Sequence, residues 1–202
     1  MEYLAIIFGA YLIGSSNMAF YLSKMQKKNI RDGGSGNLGA SNAVILMGWK
    51  AGVLVGIHDI GKGLLAVLLA KLVYPELEYA GVVAGVCAVL GHVYPFYLKF
   101  KGGKGFASYL GMTIALNWKL ALIVLILVVV VTLITDYIVS ATATTVISVP
   151  LSMGVLTQSW IVAGILFVAT AVILYKHREN FLRIVKGTEI GFRSAAKGDQ
   201  RE

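Results

Sequence analysis

Three lysines and three glycines crowd into one short stretch, Lys99-Phe100-Lys101-Gly102-Gly103-Lys104-Gly105, directly after Gly91-His92-Val93-Tyr94-Pro95. Lysine supplies cations that meet phosphate oxygens. Glycine lets the backbone turn through positive φ and approach a ligand closely. Together, at a membrane face, they describe a stretch built to hold an anion. A nucleotide-binding P-loop is excluded: with Gly103-Lys104 in register, the first glycine is replaced by Leu98 and the closing hydroxyl by Gly105. Membrane-face anchoring alone would explain Lys99, but it does not need the glycines around Lys104.

A second glycine-rich stretch, Gly33-Gly34-Ser35-Gly36-Asn37-Leu38-Gly39-Ala40-Ser41-Asn42, carries hydrogen-bond donors at Ser35, Asn37 and Asn42. Gly34, Gly36 and Gly39 fit a dinucleotide fingerprint. That fingerprint must follow a strand, whereas an apolar helix precedes it here, so a nicotinamide cofactor is excluded. If the stretch opens a helix, its free N–H groups form an anion site; the alternative is a flexible loop. A third polar group, His177-Arg178-Glu179-Asn180, continues an apolar run, and the helix is expected to end at Gly187. The alternative for this tail is a basic helix lying on the lipid surface.

Asp59 and Lys62 lie three residues apart in an apolar run and share a helix face. Charges there are costly and should pair or face a cavity. The neighbouring His58 reads as a hydrogen-bonded helix residue. The hydroxyls Ser140, Thr142, Thr144, Thr145 and Ser148 predict hydrogen bonds between helices, and Ser140 and Thr142, beside Asp136, could also reach a phosphate.

The elements that must position these groups are membrane helices. The chain has 202 residues, 57% of them hydrophobic, with mean hydropathy +0.77. Several apolar runs approach the ~20 residues a helix needs to cross a bilayer. The expected architecture is all-α: a polytopic bundle of about seven transmembrane helices in a single domain, 1–202. The spans are 3–22, 44–73, 79–97, 106–116, 119–135, 137–156 and 160–175. The second is too long for one straight crossing and the fourth is short; a five-span bundle is the competitor. Pro95 should end or kink the third. Gly48, Gly52, Gly56, Gly81 and Gly85 have the spacing of close helix packing. The first segment, with Glu2 and no lysine or arginine before it, reads as a retained helix rather than a secretory signal.

Charge sets the orientation. With the N-terminus outside and the C-terminus cytoplasmic, fifteen of the eighteen basic residues fall inside. They are Lys24, Lys27, Lys28, Arg31, Lys50, Lys99, Lys101, Lys104, Lys176, Arg178, Arg183, Lys186, Arg193, Lys197 and Arg201. Lys71 and Lys119 stay outside, and Lys62 is within a span. The net charge of +8 therefore marks cytoplasmic loops and no nucleic-acid partner. Cys87 is the single cysteine, so an internal disulfide and a cysteine-based metal cluster are excluded. A bundle of this size can work as a monomer.

The three polar clusters, in this order, resemble the bacterial acyl-phosphate-dependent glycerol-3-phosphate acyltransferases, the PlsY family. The resemblance rests on Ser35 to Asn42, on Gly91 to Pro95 with Lys101 to Gly105, and on His177 to Asn180 with Gly187 and Glu189. Asp59-Ile60-Gly61-Lys62-Gly63 is similar to the family's acidic-lysine-glycine element. One position departs: the arginine usually found three residues after the second asparagine is Ile45, so Lys104 or Arg31 must supply that cation.

The resemblance implies a multi-pass enzyme of the plasma (inner) membrane, with its active site on the cytoplasmic side. It would move a fatty acyl group from acyl phosphate to the 1-hydroxyl of glycerol 3-phosphate, without metal, cofactor or acyl-CoA. It places Ser35, Lys104, His177 and Asn180 in the catalytic set. It places Gly36, Asn37, Gly39, Asn42, His92, Lys101, Gly102, Gly103, Gly105, Arg178 and Glu189 in substrate binding. Within these, Lys104, Ser35 and Asn37 are assigned to phosphate and His177 and Asn180 to orientation. His92 reads as support near the site.

No histidine has an aspartate four intervening residues on, so the usual acyltransferase base is missing. Acyl phosphate is already activated, so orientation and charge neutralisation could carry the reaction, with a substrate phosphate taking the proton. The rival classes are a transporter of small organic phosphates, which should show internal repeats, and a head-group phosphotransferase. The latter would need clustered aspartates, but Asp32, Asp59, Asp136 and Asp199 are scattered. A non-catalytic scaffold would leave the three polar clusters unexplained.

Overall fold

The computed structural model describes residues 1–196; Lys197, Asp199 and Arg201 lie outside the described residues. Those described form only helices, turns and loops. Among the described residues six helical segments are long and apolar enough to cross a membrane, and Phe106–Leu116 is a shorter apolar helix. The chain divides into two compact units, residues 1–116 and 117–202.

In the first unit the expected first span is two helices, α1 (Glu2–Ser15) and α2 (Met18–Met25). Neither proline nor glycine sits at the break. Asn17 makes it by accepting the Phe20 N–H at 2.9 Å, a side-chain cap on α2. The second expected span is also divided, into α3 (Ala40–Met47) and α4 (Trp49–Val73). Gly48 separates them with φ of +86° and open space around it. It is a hinge in the backbone and not the packing glycine its spacing suggests. α5 (Ala80–Val93) ends before Pro95, which opens a 3-10 turn at Phe96–Leu98, and α6 (Phe106–Leu116) follows the lysine-rich loop.

Bare glycine surfaces let these helices touch. A Cβ at Gly14 would strike the Ala88 carbonyl, and one at Gly91 the Tyr11 carbonyl, so α1 and α5 meet backbone to backbone. Gly63 faces Ser108 O and Gly111 faces Ile60 O, which seats α6 on α4 in the same way. Small apolar residues fill the adjoining core, including Ala10, Ala66, Ala84 and Ala88.

The second unit holds α7 (Trp118–Thr135), α8 (Ile138–Leu156), α9 (Trp160–Val185) and the short α10 (Phe192–Ala196). Asp136, at φ +66°, turns the chain from α7 into α8. Its backbone oxygen accepts from Phe192 N at 2.7 Å and its carboxylate from Arg193 N at 2.9 Å, which straps the tail to this turn. The hydroxyls of α8 differ from expectation. Thr142 donates to Ile138 O, Thr144 to Ser140 O and Ser148 to Thr145 O, all within their own helix. A hydroxyl one turn from a carbonyl finds it without a neighbour's help. The bond between helices runs instead from Thr170 of α9 to Val146 O, at 2.6 Å. α9 runs on to Val185, and Gly187 follows with φ of +69°.

Candidate functional site

In the first unit the lysine-rich loop is bent back onto the end of α5. Gly102 N donates to Val93 O at 3.0 Å and Gly103 N to His92 O at 3.1 Å. A Cβ on Gly102 would strike His92 O, and one on Gly103 the Nε2 edge of the His92 ring. Glycine is required here for close approach rather than for flexibility. Gly105 turns the chain into α6 at φ +96°. Lys101 is exposed and Lys104 half-buried.

The first glycine-rich loop opens α3, with Gly39 as the cap residue. Asn42 is fully buried inside it. Its amide donates to Ile30 O and its carbonyl oxygen accepts from Ser35 N, both at 2.9 Å. Asn42 therefore shapes the loop from within, while Ser35 is exposed and Gly36 and Asn37 are half-buried. Ile45, at the family arginine's position, is exposed on α3. Arg31 reaches across to the lysine-rich loop and donates to the carbonyls of Leu98 and Lys101. A cavity of about 330 Å³ opens beside this loop, lined by Ser23, Lys28, Asn29, Ile30, Asp32, Gly33, Leu46 and Met47. A second, of about 350 Å³, lies among Lys71, Tyr74, Glu78 and Leu116 and contains none of the expected site residues.

Within the helices, Lys62 pairs with Asp59 at 2.9 Å. The same Asp59 oxygen lies 3.4 Å from Nδ1 of both His58 and His92. His92 is buried, and its Nδ1 makes no hydrogen bond of good geometry. The Nε2 of His58 lies 3.0 Å from Ser16 Oγ.

In the second unit His177 and Asn180 are buried on one face of α9. His177 Nδ1 donates to Ile173 O at 2.8 Å, so in a neutral ring Nε2 is the acceptor. Glu189 folds back on the helix. One carboxylate oxygen accepts from Asn180 Nδ2 and the other from Arg183 Nε, each at 2.6 Å. Glu189 is thus a clamp on Asn180. Arg178 points outward, over the Tyr175 ring and beside Glu179. Replacing Glu189 with alanine releases the Asn180 amide and is expected to lower turnover about tenfold through lost orientation, read by steady-state kinetics. Among the described residues no three His, Cys, Asp or Glu side chains converge as a metal-ligand set.

Sequence reasoning missed two contributors. Asn17 carries no motif, and the charge of Arg31 points to an anion and not to backbone carbonyls. Both act through backbone carbonyls, which leave no residue-type signal.

The family model described as glycerol-3-phosphate acyltransferase matches residues 4–187. A protein of that name from Geotalea daltonii is 36% identical over 192 residues, covering 94% of this chain and 97% of the relative. Another, from Pelagibacter ubique, is 40% identical over 185 residues, covering 91% and 94%. The crystal structure of PlsY (YgiH), an integral membrane glycerol 3-phosphate acyltransferase, in its glycerol 3-phosphate form, superposes with a TM-score of 0.90 at 34% identity. It covers 99% of this chain and all of that one. The lysophosphatidic acid form gives a TM-score of 0.85 at 34% identity, covering 95% of each.

Proposed function

Since the chain belongs to the glycerol-3-phosphate acyltransferase family, we propose that it acylates the 1-hydroxyl of glycerol 3-phosphate with acyl phosphate as donor. It works as a single membrane domain in the inner membrane, N-terminus outside, with its three polar clusters facing the cytoplasm. The observation that carries this reading is the loop Gly102-Gly103-Lys104-Gly105. It is pinned to the end of α5 by two backbone hydrogen bonds and presents a half-buried lysine within an apolar bundle.

The glycerol hydroxyl oxygen attacks the acyl carbonyl carbon. The bond from that carbon to the bridging oxygen breaks, and inorganic phosphate leaves. Charge builds on the leaving phosphate, where Lys104, Ser35 and Asn37 are assigned to meet it. The hydroxyl proton passes to a phosphate oxygen, so ester and protonated phosphate balance the reaction. His177 and Asn180 orient the acceptor hydroxyl or the donor carbonyl, and their fixed rotamers supply the alignment. Cys87, buried in the α5 core, is placed as packing and not as a nucleophile.

The test is phosphate release from acyl phosphate by purified protein, with and without glycerol 3-phosphate, and with acyl-CoA as the control donor. Release that depends on glycerol 3-phosphate is expected. Uptake of glycerol 3-phosphate into liposomes without product would favour a transporter instead. Replacing His177 with glutamine is expected to preserve substrate binding and part of the turnover. Abolished turnover with binding intact would assign the proton to a protein base.

A further inference from the structure

The proposed chemistry leaves Asp59 and Lys62 without a task. Both are almost fully buried, at 1% and 4% exposure. An ion pair in that position contributes little that packed apolar side chains would not, and within a membrane span such groups usually have a function. Their partners show what they join. On one side Asp59 lies against His92, whose ring edge carries Gly103 and whose carbonyl accepts the Gly103 N–H at 3.1 Å. On the other, Lys62 donates to Ser16 O at 2.7 Å, in the gap between α1 and α2. The next residue, Asn17, caps α2 and donates from Nδ2 to Leu38 O at 3.3 Å. Leu38 is buried between Asn37 and Gly39 of the first glycine-rich loop. A continuous series of contacts thus runs from Gly103 through His92, Asp59, Lys62, Ser16 and Asn17 to Leu38.

We propose that Asp59 and Lys62 are positioning residues that set the separation of the two glycine-rich loops, and through it the fit of a phosphorylated substrate held by both. This rests on the reading that these loops hold phosphate. The pair suits the task because its short, charge-assisted contact has a defined length. It reaches the helix gap at Ser16, where the Tyr97 hydroxyl also donates, to Ser15 O at 2.9 Å. Arg31 provides a second, surface bridge between the loops, so loss of the buried one should loosen their spacing without releasing them.

Two variants break the series at separate points. Asp59→Asn removes the charge that holds Lys62. Asn17→Ser keeps a side-chain cap on α2 but is too short to tether Leu38. Each is expected to raise the KM for glycerol 3-phosphate about tenfold, with a smaller change in kcat. The double variant should be no worse than the more severe single one, because both cut one connection. Hydrogen exchange supplies a readout independent of catalysis. Asn17→Ser should speed exchange at the amides of Gly102 and Gly103, in the far loop, as Asp59→Asn should at Ser35 and Ala43, whose amides are hydrogen-bonded within the first loop.

Unchanged KM with only a lower thermal midpoint would reduce the pair to a structural role and overturn the proposal. So would additive effects, or exchange confined to the mutated side. If Asp59→Asn does not fold, exchange at residues 102–103 in Asn17→Ser decides the matter alone. A wild-type protein that acylates no glycerol 3-phosphate would refute the proposed function, yet coupled exchange between the loops would still stand.

Discussion

Replacing Lys104 with methionine is expected to slow acyl transfer by about 10²–10³-fold, the cost of losing one preorganised group at a site of developing charge. Methionine keeps the length and the apolar stem, so the loop should hold its shape. The loop is fixed by backbone bonds to Val93 and His92, which the substitution leaves alone. Phosphate release from acyl phosphate at saturating glycerol 3-phosphate measures the effect, and circular dichroism checks the fold. Lys104→Arg should recover part of the rate, because it restores charge with different geometry. A loss of less than tenfold in the methionine variant would move the phosphate cation elsewhere.

The second large effect concerns the fold. Substituting leucine for Gly111 is expected to lower the thermal midpoint in detergent by roughly 2–12 °C, since overpacking of this kind costs about 1–3 kcal/mol. The argument lies in what the new side chain meets. At Gly111 the neighbour is the Ile60 carbonyl on the backbone of α4, which cannot swing aside. α6 would have to move off α4, taking the lysine-rich loop with it. Gly61→Ala is the matched control. Nothing lies within 4 Å of a Cβ at Gly61, so this change should be neutral or slightly stabilising, by up to ~1 kcal/mol. Differential scanning of the two variants side by side separates close packing from general glycine replacement.

The contrast between these two glycines also shows how much the sequence discloses. Composition and run length reveal the membrane helices, and Pro95 marks the end of α5 where the structure has it. The G-x-x-x-G pattern points to Gly52 and Gly85, which do pack closely, against Val44 of α3 and Met112 of α6, and to Gly48, which is a hinge; it gives no sign of Gly14, Gly63 or Gly111, where helices meet backbone to backbone. Packing depends on what stands opposite, and no single helix encodes that. The break at Ser16 and Asn17 is hidden for the same reason. Its supports, Lys62 and Leu38, are distant in the chain.

For the candidate site, residue types mark the polar stretches within each unit and not which way their side chains face. Asn42 and Glu189 look like ligand contacts in a motif. In the fold both turn inward, toward the backbone of the first loop and toward Asn180 and Arg183. Arg178, which stands in the same motif as His177, points away.

The brevity of α6 has a consequence for how reactants arrive. Eleven residues span about 16 Å, roughly half the thickness of a bilayer's hydrocarbon. The loop that precedes it lies level with Asp59, about 15 Å along α4 from Trp49. Lys104, next to Gly103, is therefore level with the middle turns of α4 and not with its end. A donor dissolved in the leaflet could slide in sideways at nearly the right depth. On the proposed function its water-borne partner would have to descend, shedding part of its hydration on the way, and the excursion of the soluble reactant rather than of the greasy one would be the demanding step.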